Sequence, residues 1–546
     1  MLRPEETAPG ALPEGGEDYD VVIVGYGPCG ALAASLLGKQ GVRVLVVDRE
    51  HEVYDKPRAM ALDHEILRIF DNLGLADDVI PYIGPFATSQ HFGAQGQLLR
   101  TLTMVPEPYP HGYTPSMVFN QPRIEERLRA VAESLESVVV ELGTALISIA
   151  QSDRGVKVGL ASEDGSRRTV SARYAIACDG ASSTVRTLLG IELEDLDFDE
   201  PWIVVDMLVE EGGGRRLPEE SAHFCYPERP IVYVVGTGNH VRWEIMLNDG
   251  EDPREMERPE QVWRLLDRWI GPDEASLWRS ASYRFHALVA RDWRRGRIFI
   301  AGDAAHQQPP ILGQGMCQGM RDVANLAWKL GGVLQGRWPA SILDSYQAER
   351  RPHVRELIER IKALGAVLCE RDPEAARLRD ERLLAEGGGS PRHITRQSIL
   401  PRLMQGLLAV RGGPGVGTLF PQPWVLVGEG RARMDKVFGH DWRLIATDGR
   451  MLAGENTVAR CRALGLRVLV LGGNVAGAEV VNEAEGVLAA WFDANRTGAA
   501  IVRPDHYVYG TAADPQQLEE IIGELEEALA RAPDASPQME IAREVC

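Results

Sequence analysis

The stretch YDVVIVGYGPCGALAASLLGKQGVRVLVVDRE, residues 19–50, decides the fold of this chain. Its apolar start is typical of a buried parallel strand, and it leads into Gly25, Gly27 and Gly30 at G-x-G-x-x-G spacing. In a strand–turn–helix unit, the first glycine permits the tight turn and the second lets a pyrophosphate approach the backbone. The third lets the helix pack on the strand, and the N–H groups at the helix start face the phosphates. The spacing predicts a dinucleotide-binding Rossmann unit.

An acidic residue follows at the distance that such a unit requires. A second apolar strand at residues 43–47 ends in Asp48, with Arg49 beside it, 18 residues after Gly30. A carboxylate there hydrogen-bonds the ribose hydroxyls of an adenine dinucleotide. Glycines at this spacing alone would be weak support, because ordinary glycine-rich turns match them too. The uncharged residues 21–38 just reach the length of a membrane span, but their glycines and proline favour a buried soluble core.

Composition narrows the class of protein. A chain of 546 residues is too long for one core and predicts several domains. The formal charge of −20 argues against nucleic acid or an anionic membrane as a partner. The seven scattered cysteines include no C-x-x-C pair, which favours a reducing cytoplasm and predicts neither disulfides nor a metal site. Residues 1–17 are acidic and rich in Pro and Gly, so we expect a disordered tail. Whether identical chains assemble is left open.

Two further stretches end strands with acidic residues. In YAIACDGASSTVR, residues 174–186, a strand ends at Asp179, where a parallel sheet places ligands. A tight turn with a serine helix cap is the alternative. In RIFIAGDAAHQQPPILGQGMCQGMRDVANLAWKL, residues 297–330, a strand ends at Gly302 and Asp303, and a glycine-rich loop leads into a long helix. The start of that helix would stabilise negative charge on a flat ring, although Asp303 alone could be a helix cap.

The remaining regions differ in character. Residues 196–285 contain β-rich runs separated by turns and predict an antiparallel sheet over the cofactor. Tyr226, Tyr233 and Trp243 either line an aromatic pocket or simply pack. Residues 386–416 are typical of a linker. Residues 417–535 follow the order of a thioredoxin-like domain without C-x-x-C, which favours packing or assembly over a redox role.

The three stretches in this order resemble the fingerprints of FAD-dependent class A aromatic monooxygenases. Within that family, YDKPRAMALDHEILR, GQGMCQGMRDVANLAWKL and VRPDHYV resemble the 3-(3-hydroxyphenyl)propionate and 3-hydroxycinnamate hydroxylases. The resemblance implies an α/β fold with a Rossmann-like FAD-binding domain at residues 18–84, 114–195 and 286–385. A substrate-binding antiparallel sheet at 85–113 and 196–285 is inserted in it, and the thioredoxin-like domain follows.

The resemblance also assigns roles to residues. The FAD would be held by Gly25, Gly27, Gly30, Asp48, Arg49, Arg58, Gln121, Asp179, Gly302, Asp303, Pro309, Gly313, Gly315 and Met316. Among these, Arg58, Asp303 and Pro309 would position the flavin for catalysis. Tyr226, Tyr233, Arg242 and Trp243 would line the substrate site, with Arg242 or Arg229 facing any carboxylate on the substrate.

The implied reaction uses NADH or NADPH to reduce the flavin. O2 then adds at flavin C4a, and the hydroperoxide hydroxylates a small aromatic substrate, a phenol, ortho to its hydroxyl. The base that deprotonates the phenol is not identified, since Met60 stands where a relative has an aspartate. Three alternatives stay open: hydroxylation of a larger polyketide- or pyridone-type ring, a Baeyer–Villiger oxygenation, and a flavin-binding module without turnover.

Overall fold

The computed structural model describes residues 18–86, 88–454 and 456–530, and the backbone of residues 541–544. The tail predicted at residues 1–17 lies outside the described residues, as does the predicted end of the last domain at 531–535. In the described ranges, none of the helices is both long enough and apolar enough to cross a bilayer.

The strands of the described residues, in chain order, are β1 Tyr19–Val24, β2 Val44–Val47, β3 Ala61–Asp63, β4 Ile83–Pro85, β5 Ser89–Phe92, β6 Leu98–Thr103, β7 Ser116–Phe119, β8 Val138–Glu141, β9 Thr144–Gln151, β10 Val156–Ser162, β11 Arg167–Ala177, β12 Leu193–Val209, β13 Ser221–Phe224, β14 Ile231–Val235, β15 His240–Met246, β16 Ala275–Ala290, β17 Arg294–Arg295, β18 Ile298–Ile300, β19 His306–Gln307, β20 Arg392–Thr395, β21 Trp424–Val427, β22 Gly430–Arg433, β23 Arg443–Ala446, β24 Arg467–Val470, β25 Glu479–Val480, β26 Ala499–Val502, β27 Val508–Ala512 and β28 Ile541–Glu544.

The α-helices are α1 Pro28–Gly38, α2 His64–Asn72, α3 Ala76–Val79, α4 Gln121–Glu133, α5 Thr184–Leu188, α6 Pro253–Met256, α7 Pro259–Leu266, α8 Gly315–Leu334, α9 Asp344–Leu368, α10 Pro373–Glu386, α11 Met434–Phe438, α12 Thr457–Ala463, α13 Val487–Asn495 and α14 Pro515–Ala530. Short 3-10 turns lie at Ile80–Tyr82, Gly302–Ala304, Pro310–Leu312, Ala340–Leu343, Arg396–Ile399 and Gly449–Leu452.

The first sheet has the strand order of a Rossmann unit. Its parallel part runs β8, β2, β1, β11, β18, and β10, β9 and β28 extend it antiparallel beyond β11. Residues 21–24 of β1 are buried, as expected of a central parallel strand covered on both faces. Helices α1 and α8 pack against each other beside the glycine turn. The predicted α/β fold with a Rossmann-like domain is confirmed.

The second sheet has nine strands in the order β19, β16, β12, β15, β14, β13, β5, β6, β20. Its back face packs on α7, whose Val262 and Leu266 are buried against it. Its front face packs on residues 310–312 and on α9. Strand β20 pairs with β6 although it lies inside the segment expected to be a linker, 386–416. Local composition missed this strand because its partner lies about 300 residues earlier in the chain.

The third sheet is that of a thioredoxin-like domain. Its order is β25, β24, β23, β26, β27, with β23 parallel to β24 and antiparallel to β26. Helices α12, α13 and α14 cover it, and α12 carries the buried Cys461. Within the described residues every cysteine is free, so the domain offers no disulfide there.

Candidate functional site

The glycine turn after β1 contains two glycines that the protein's own packing requires and one that it does not. A Cβ on Gly25, which has a φ of +97°, would lie 2.4 Å from the carbonyl oxygen of Cys178. A Cβ on Gly30 would lie 1.9 Å from the carbonyl oxygen of Gly25. A Cβ on Gly27 would meet nothing within 4 Å and would project into open space at the start of α1. That space fits a pyrophosphate in contact with the backbone.

Asp48 closes the same turn from the end of β2. Its Oδ2 accepts a hydrogen bond from the Tyr26 amide at 2.5 Å, and its Oδ1 accepts one from the Glu50 amide at 2.9 Å. The carboxylate is therefore held at the edge of the turn, where the ribose of a dinucleotide would lie. Arg49 is exposed and forms an ion pair with Glu50 at 3.2 Å.

Gln121, at the start of α4, fixes the segment around Arg58. Its Oε1 accepts hydrogen bonds from the amides of Arg58 at 2.9 Å and Ala59 at 2.6 Å. From the other side, Arg242 donates to the carbonyl oxygens of Arg58 at 2.9 Å and Pro57 at 2.7 Å. The side chain of Arg58 stays exposed. The two flanking side chains thus hold the backbone of residues 57–59 and leave the Arg58 guanidinium available.

The acidic ends of β11 and β18 differ in what they contact. Asp179 accepts hydrogen bonds from Ser183 Oγ at 2.5 Å and from the Val185 amide at 3.1 Å, while Ser183 itself caps α5. Asp303 has an exposed side chain, yet desolvation by the surrounding protein raises its pKa. A side chain that lines a deep cleft shows both features, because solvent reaches it while protein atoms surround it. Asp303 is thus placed for a ligand; at Asp179 the serine cap is present at Ser183, and burial raises the pKa of Asp179 too.

The cleft beside Asp303 is closed by the loop before α8. Gly302 (φ +61°) and Gly313 (φ +60°) have left-handed backbones, and a Cβ on Gly313 would lie 2.6 Å from Ala61 Cβ. Pro309 precedes the turn Pro310–Leu312, while Gly315 and Met316 form the first turn of α8. A Cβ on Gly315 would have 3.9 Å to its nearest neighbour, Gln308. The free amides at this helix start fit a planar ring that carries negative charge.

The aromatic residues expected to line the substrate site lie on the back face. Tyr233 and Trp243 are buried 5.1 Å apart among residues of α7, and Tyr226 stacks on Phe224. Packing is therefore their observed role. Side chains alternate between the two faces of a strand, so a pocket on the front face must be lined by their neighbours.

The two arginines expected to meet a substrate carboxylate are already paired. Arg242 donates to Asp206 at 2.7 and 3.1 Å, and its remaining donors hold Pro57 and Arg58. Arg229 forms a bidentate pair with Glu251 at 2.9 and 2.6 Å. We therefore do not assign either residue to the substrate.

One register row of the front face carries several polar side chains. From β6 to β12 it consists of Arg100, His91, His223, Val232, Glu244 and Val204. All six are buried. The sequence interpretation missed this row, although the alternation Arg242-Trp243-Glu244-Ile245 contained the signal. If tryptophan and isoleucine face a helix, arginine and glutamate must face the other side.

Cations gather at the β6 end of this row. Arg396 donates to the Leu312 carbonyl and lines a small cavity with Asp63, His64 and Gln314. Arg100 donates to His91 Nδ1 at 3.3 Å, and its Nη2 is buried without a hydrogen bond. Among the residues that the structure describes, neither arginine has an acidic side chain within ion-pair distance.

The histidines beside these arginines are uncharged. Burial, followed by the charges of Arg100 and Arg396, lowers the pKa of His223 to about 3, and burial also lowers that of His91. At neutral pH the two arginines carry the positive charge of this cluster, and the neutral histidines can only add hydrogen bonds to a bound anion.

Comparison with known proteins gives two family matches. Residues 18–361 match the family described as FAD binding domain, and residues 417–528 match the HcaD C-terminal domain. A Rhodococcus jostii (strain RHA1) protein named "Probable NADH-specific resorcinol 4-hydroxylase" is 35% identical over 97% of this chain and 98% of its own length. The 3-(3-hydroxy-phenyl)propionate/3-hydroxycinnamic acid hydroxylase of Mycolicibacterium gilvum (strain PYR-GCK) is 34% identical over 90% of this chain and 88% of its own.

Solved structures with the same fold include two enzymes in complex with FAD. The flavin-dependent monooxygenase PieE, in complex with FAD and substrate, superposes with a TM-score of 0.78 at 22% identity, covering 94% of this chain and all of that one. Aklavinone-11 hydroxylase with FAD and aklavinone superposes with a TM-score of 0.77 at 24% identity, covering 95% of this chain. At these identities the likeness concerns the fold.

Proposed function

This chain belongs to the family of FAD-dependent aromatic hydroxylases, and we propose that it hydroxylates a small phenol bearing a carboxylate, with NADH as the reductant. The product is the corresponding ortho-dihydroxy acid. A compound of the 3-(3-hydroxyphenyl)propionate or 3-hydroxycinnamate kind has both groups. The name of the Mycolicibacterium relative supports this substrate class, and that of the Rhodococcus relative supports NADH.

The observation that carries the proposal is that Arg396 has no ion pair among the residues described, because Asp63, which lines the same cavity, is paired with Arg321. This residue is only 8% exposed, and burial lowers its pKa to about 10, which leaves it charged at neutral pH. Buried charges are normally paired, because an unpaired one loses its hydration without compensation. A substrate carboxylate would supply the missing partner through a charge-assisted hydrogen bond.

In this proposal, the side chains hold the reactants and keep water out. Bound FAD, once reduced by NADH, would activate O2, and one of the two oxygen atoms of O2 would enter the ring. Gly27 and Asp48 bind its ADP half, Gln121 and Arg242 hold residues 57–59 beside it, and Asp303 binds within the cleft. The apolar front-face residues Trp202, Val232 and Met246, packed on residues 311–312, exclude water from the reacting ring.

The test is Arg396→Met, with Arg402→Met as the matched control, because Arg402 is an exposed arginine on the same segment. We expect kcat/KM for 3-(3-hydroxyphenyl)propionate to fall about 10- to 100-fold, the value of a hydrogen bond to a charged group, and that for resorcinol to change little. NADH oxidation and product analysis measure both. Equal losses for the two phenols, or wild-type turnover of resorcinol alone, would overturn the carboxylate assignment and favour the resorcinol class.

A further inference from the structure

Glu244 lies in the middle of the front face, and its carboxylate has no partner among the described side chains. It stands on β15 between Val204 of β12 and Val232 of β14, and it is 7% exposed. Throughout the described part of the chain, no side chain or amide hydrogen-bonds its carboxylate or forms an ion pair with it. Its oxygen atoms keep a small accessible surface, so water or a donor group of a ligand can reach them.

A second carboxylate on the same face shows that donors were available. Asp206 accepts hydrogen bonds from Arg242 at 2.7 and 3.1 Å, and it lies 2.7 Å from His240 Nε2. Arg242 is only two residues before Glu244, yet its guanidinium contacts Asp206 and the carbonyl oxygens of residues 57 and 58. The local cation is therefore committed elsewhere, and the oxygens of Glu244 remain free to accept a proton.

The position of Glu244 brings it between the two segments assigned to the flavin. Arg242 on one side contacts residues 57–58, and Met246 on the other packs with Ile311 and Leu312. Same-face residues of a strand are about 7 Å apart, so Glu244 faces the space between these two segments. His223, next to Arg396, lies two strands away in the same row, about 10 Å from Glu244. A phenol with a short carboxylic-acid side chain is long enough to place its hydroxyl at Glu244 and its carboxylate at Arg396.

We propose that Glu244 is the general base that accepts the proton of the substrate's phenol hydroxyl. The proposal rests on the proposed function. As the O–H proton moves to the carboxylate, the oxygen electron pair shifts into the ring and makes its ortho carbon nucleophilic. That carbon forms the new C–O bond with one atom of O2, and loss of its own proton restores the aromatic ring. NADH supplies the two electrons, and the second oxygen atom leaves as water.

The electrostatics of the front face suit this role. Burial raises the pKa of Glu244 to about 7, with the charge of Arg242 opposing the shift and that of Asp206 adding to it. On the other neighbouring strand, Val232 brings no charge. A base that titrates near the working pH combines a substantial ionised fraction with useful basicity.

The experiment compares FAD-loaded wild type with Glu244→Gln, Glu244→Asp and, as a control on the back face, Tyr233→Phe. We expect Glu244→Gln to retain FAD and to lower kcat for 3-(3-hydroxyphenyl)propionate hydroxylation about 10²- to 10⁴-fold, the usual contribution of a general base. The rise of wild-type kcat with pH through about 7 should vanish in this variant. Glu244→Asp should recover part of the rate, and Tyr233→Phe should match wild type.

Different results would overturn different claims. If wild type forms no dihydroxy product from any phenol, the proposed function fails and this proposal fails with it. If wild type turns over and Glu244→Gln keeps both its rate and its pH profile, only the base assignment fails. A rise in KM at constant kcat would make Glu244 a binding residue, and loss of FAD or of thermal stability would make it structural. Either result contradicts a base.

Discussion

Two regions of this protein bury charged side chains: one pairs all of them, and the other pairs Asp206 with Arg242 but leaves several charges unpaired. Where the thioredoxin-like domain meets α8 and α9, Glu349 Oε2 accepts hydrogen bonds from Arg503 at 2.7 Å, Lys329 at 2.7 Å and Asn325 at 2.6 Å. Asp505 binds the same guanidinium at 2.6 and 3.0 Å. On the front face of the second sheet, Glu244, Arg100 and Arg396 have no oppositely charged partner among the residues described.

The difference separates structural charges from functional ones. A saturated network stabilises one arrangement and is strongly destabilised when a member is lost. Buried charges without a partner destabilise the fold. Proteins keep them where a ligand supplies the opposite charge or where the shifted pKa serves catalysis. The two regions should therefore respond oppositely to neutralising substitutions.

The largest effect is expected at the domain junction. Burial alone would raise the pKa of Glu349, but the charges of Arg503 and Lys329 hold it at about 2. Glu349→Gln leaves Arg503 and Lys329 undercompensated and should lower the free energy of unfolding by about 3–5 kcal/mol at neutral pH. Urea denaturation measures it. Glu356→Gln, on the exposed side of α9, should change it by less than about 1 kcal/mol. A similar small loss in both variants would show that the junction is not a cooperative network.

A change of opposite sign is expected for the stability of Glu244→Gln. The folded-state pKa of Glu244 lies above its unfolded value, so the wild type loses stability as pH rises through about 7. The variant has no such loss and should be more stable by about 1–3 kcal/mol at about pH 8.5, with a smaller advantage at about pH 5. Denaturant midpoints at the two pH values decide it. An advantage independent of pH would mean that the pKa of Glu244 is the same in the folded and unfolded states.

The smallest effect is expected at Arg100. Replacing this buried, unpaired arginine by the similarly long methionine should alter stability by less than about 1 kcal/mol, since apolar replacement of a buried charge is often neutral or stabilising. Thermal unfolding compares it with Arg503→Met, which breaks the saturated network and should be far more destabilising. Equal losses at both positions would remove the distinction between the two regions.

The sequence determined the first sheet far better than the second. A glycine turn encodes its geometry in neighbouring residues, so Gly25, Gly27, Gly30 and Asp48 predicted both the Rossmann unit and where its ligand would lie. The faces of β15 depend instead on which side α7 covers, a contact between distant segments. Without that contact, the sequence alternation does not say whether Trp243 or Glu244 faces the pocket, and the sequence analysis named Trp243. Strand β20 was missed for the same reason, since its pairing partner β6 is remote in sequence.

Helix α9 connects the buried charge network around Glu349 to the front face of the second sheet. It carries Glu349 at one end of its buried face and, further along, Leu357 and Ile361, which pack with Ile311 and Leu312 under the front face. The domain after residue 417 therefore stabilises α9, which in turn packs against Ile311 and Leu312 at the proposed substrate site. A shortened chain without it would leave Lys329 and Glu349 open to water and let this wall relax. Such a truncated protein should oxidise NADH and release H2O2 instead of hydroxylated product. The domain would then keep NADH oxidation coupled to hydroxylation, without taking part in the redox chemistry itself.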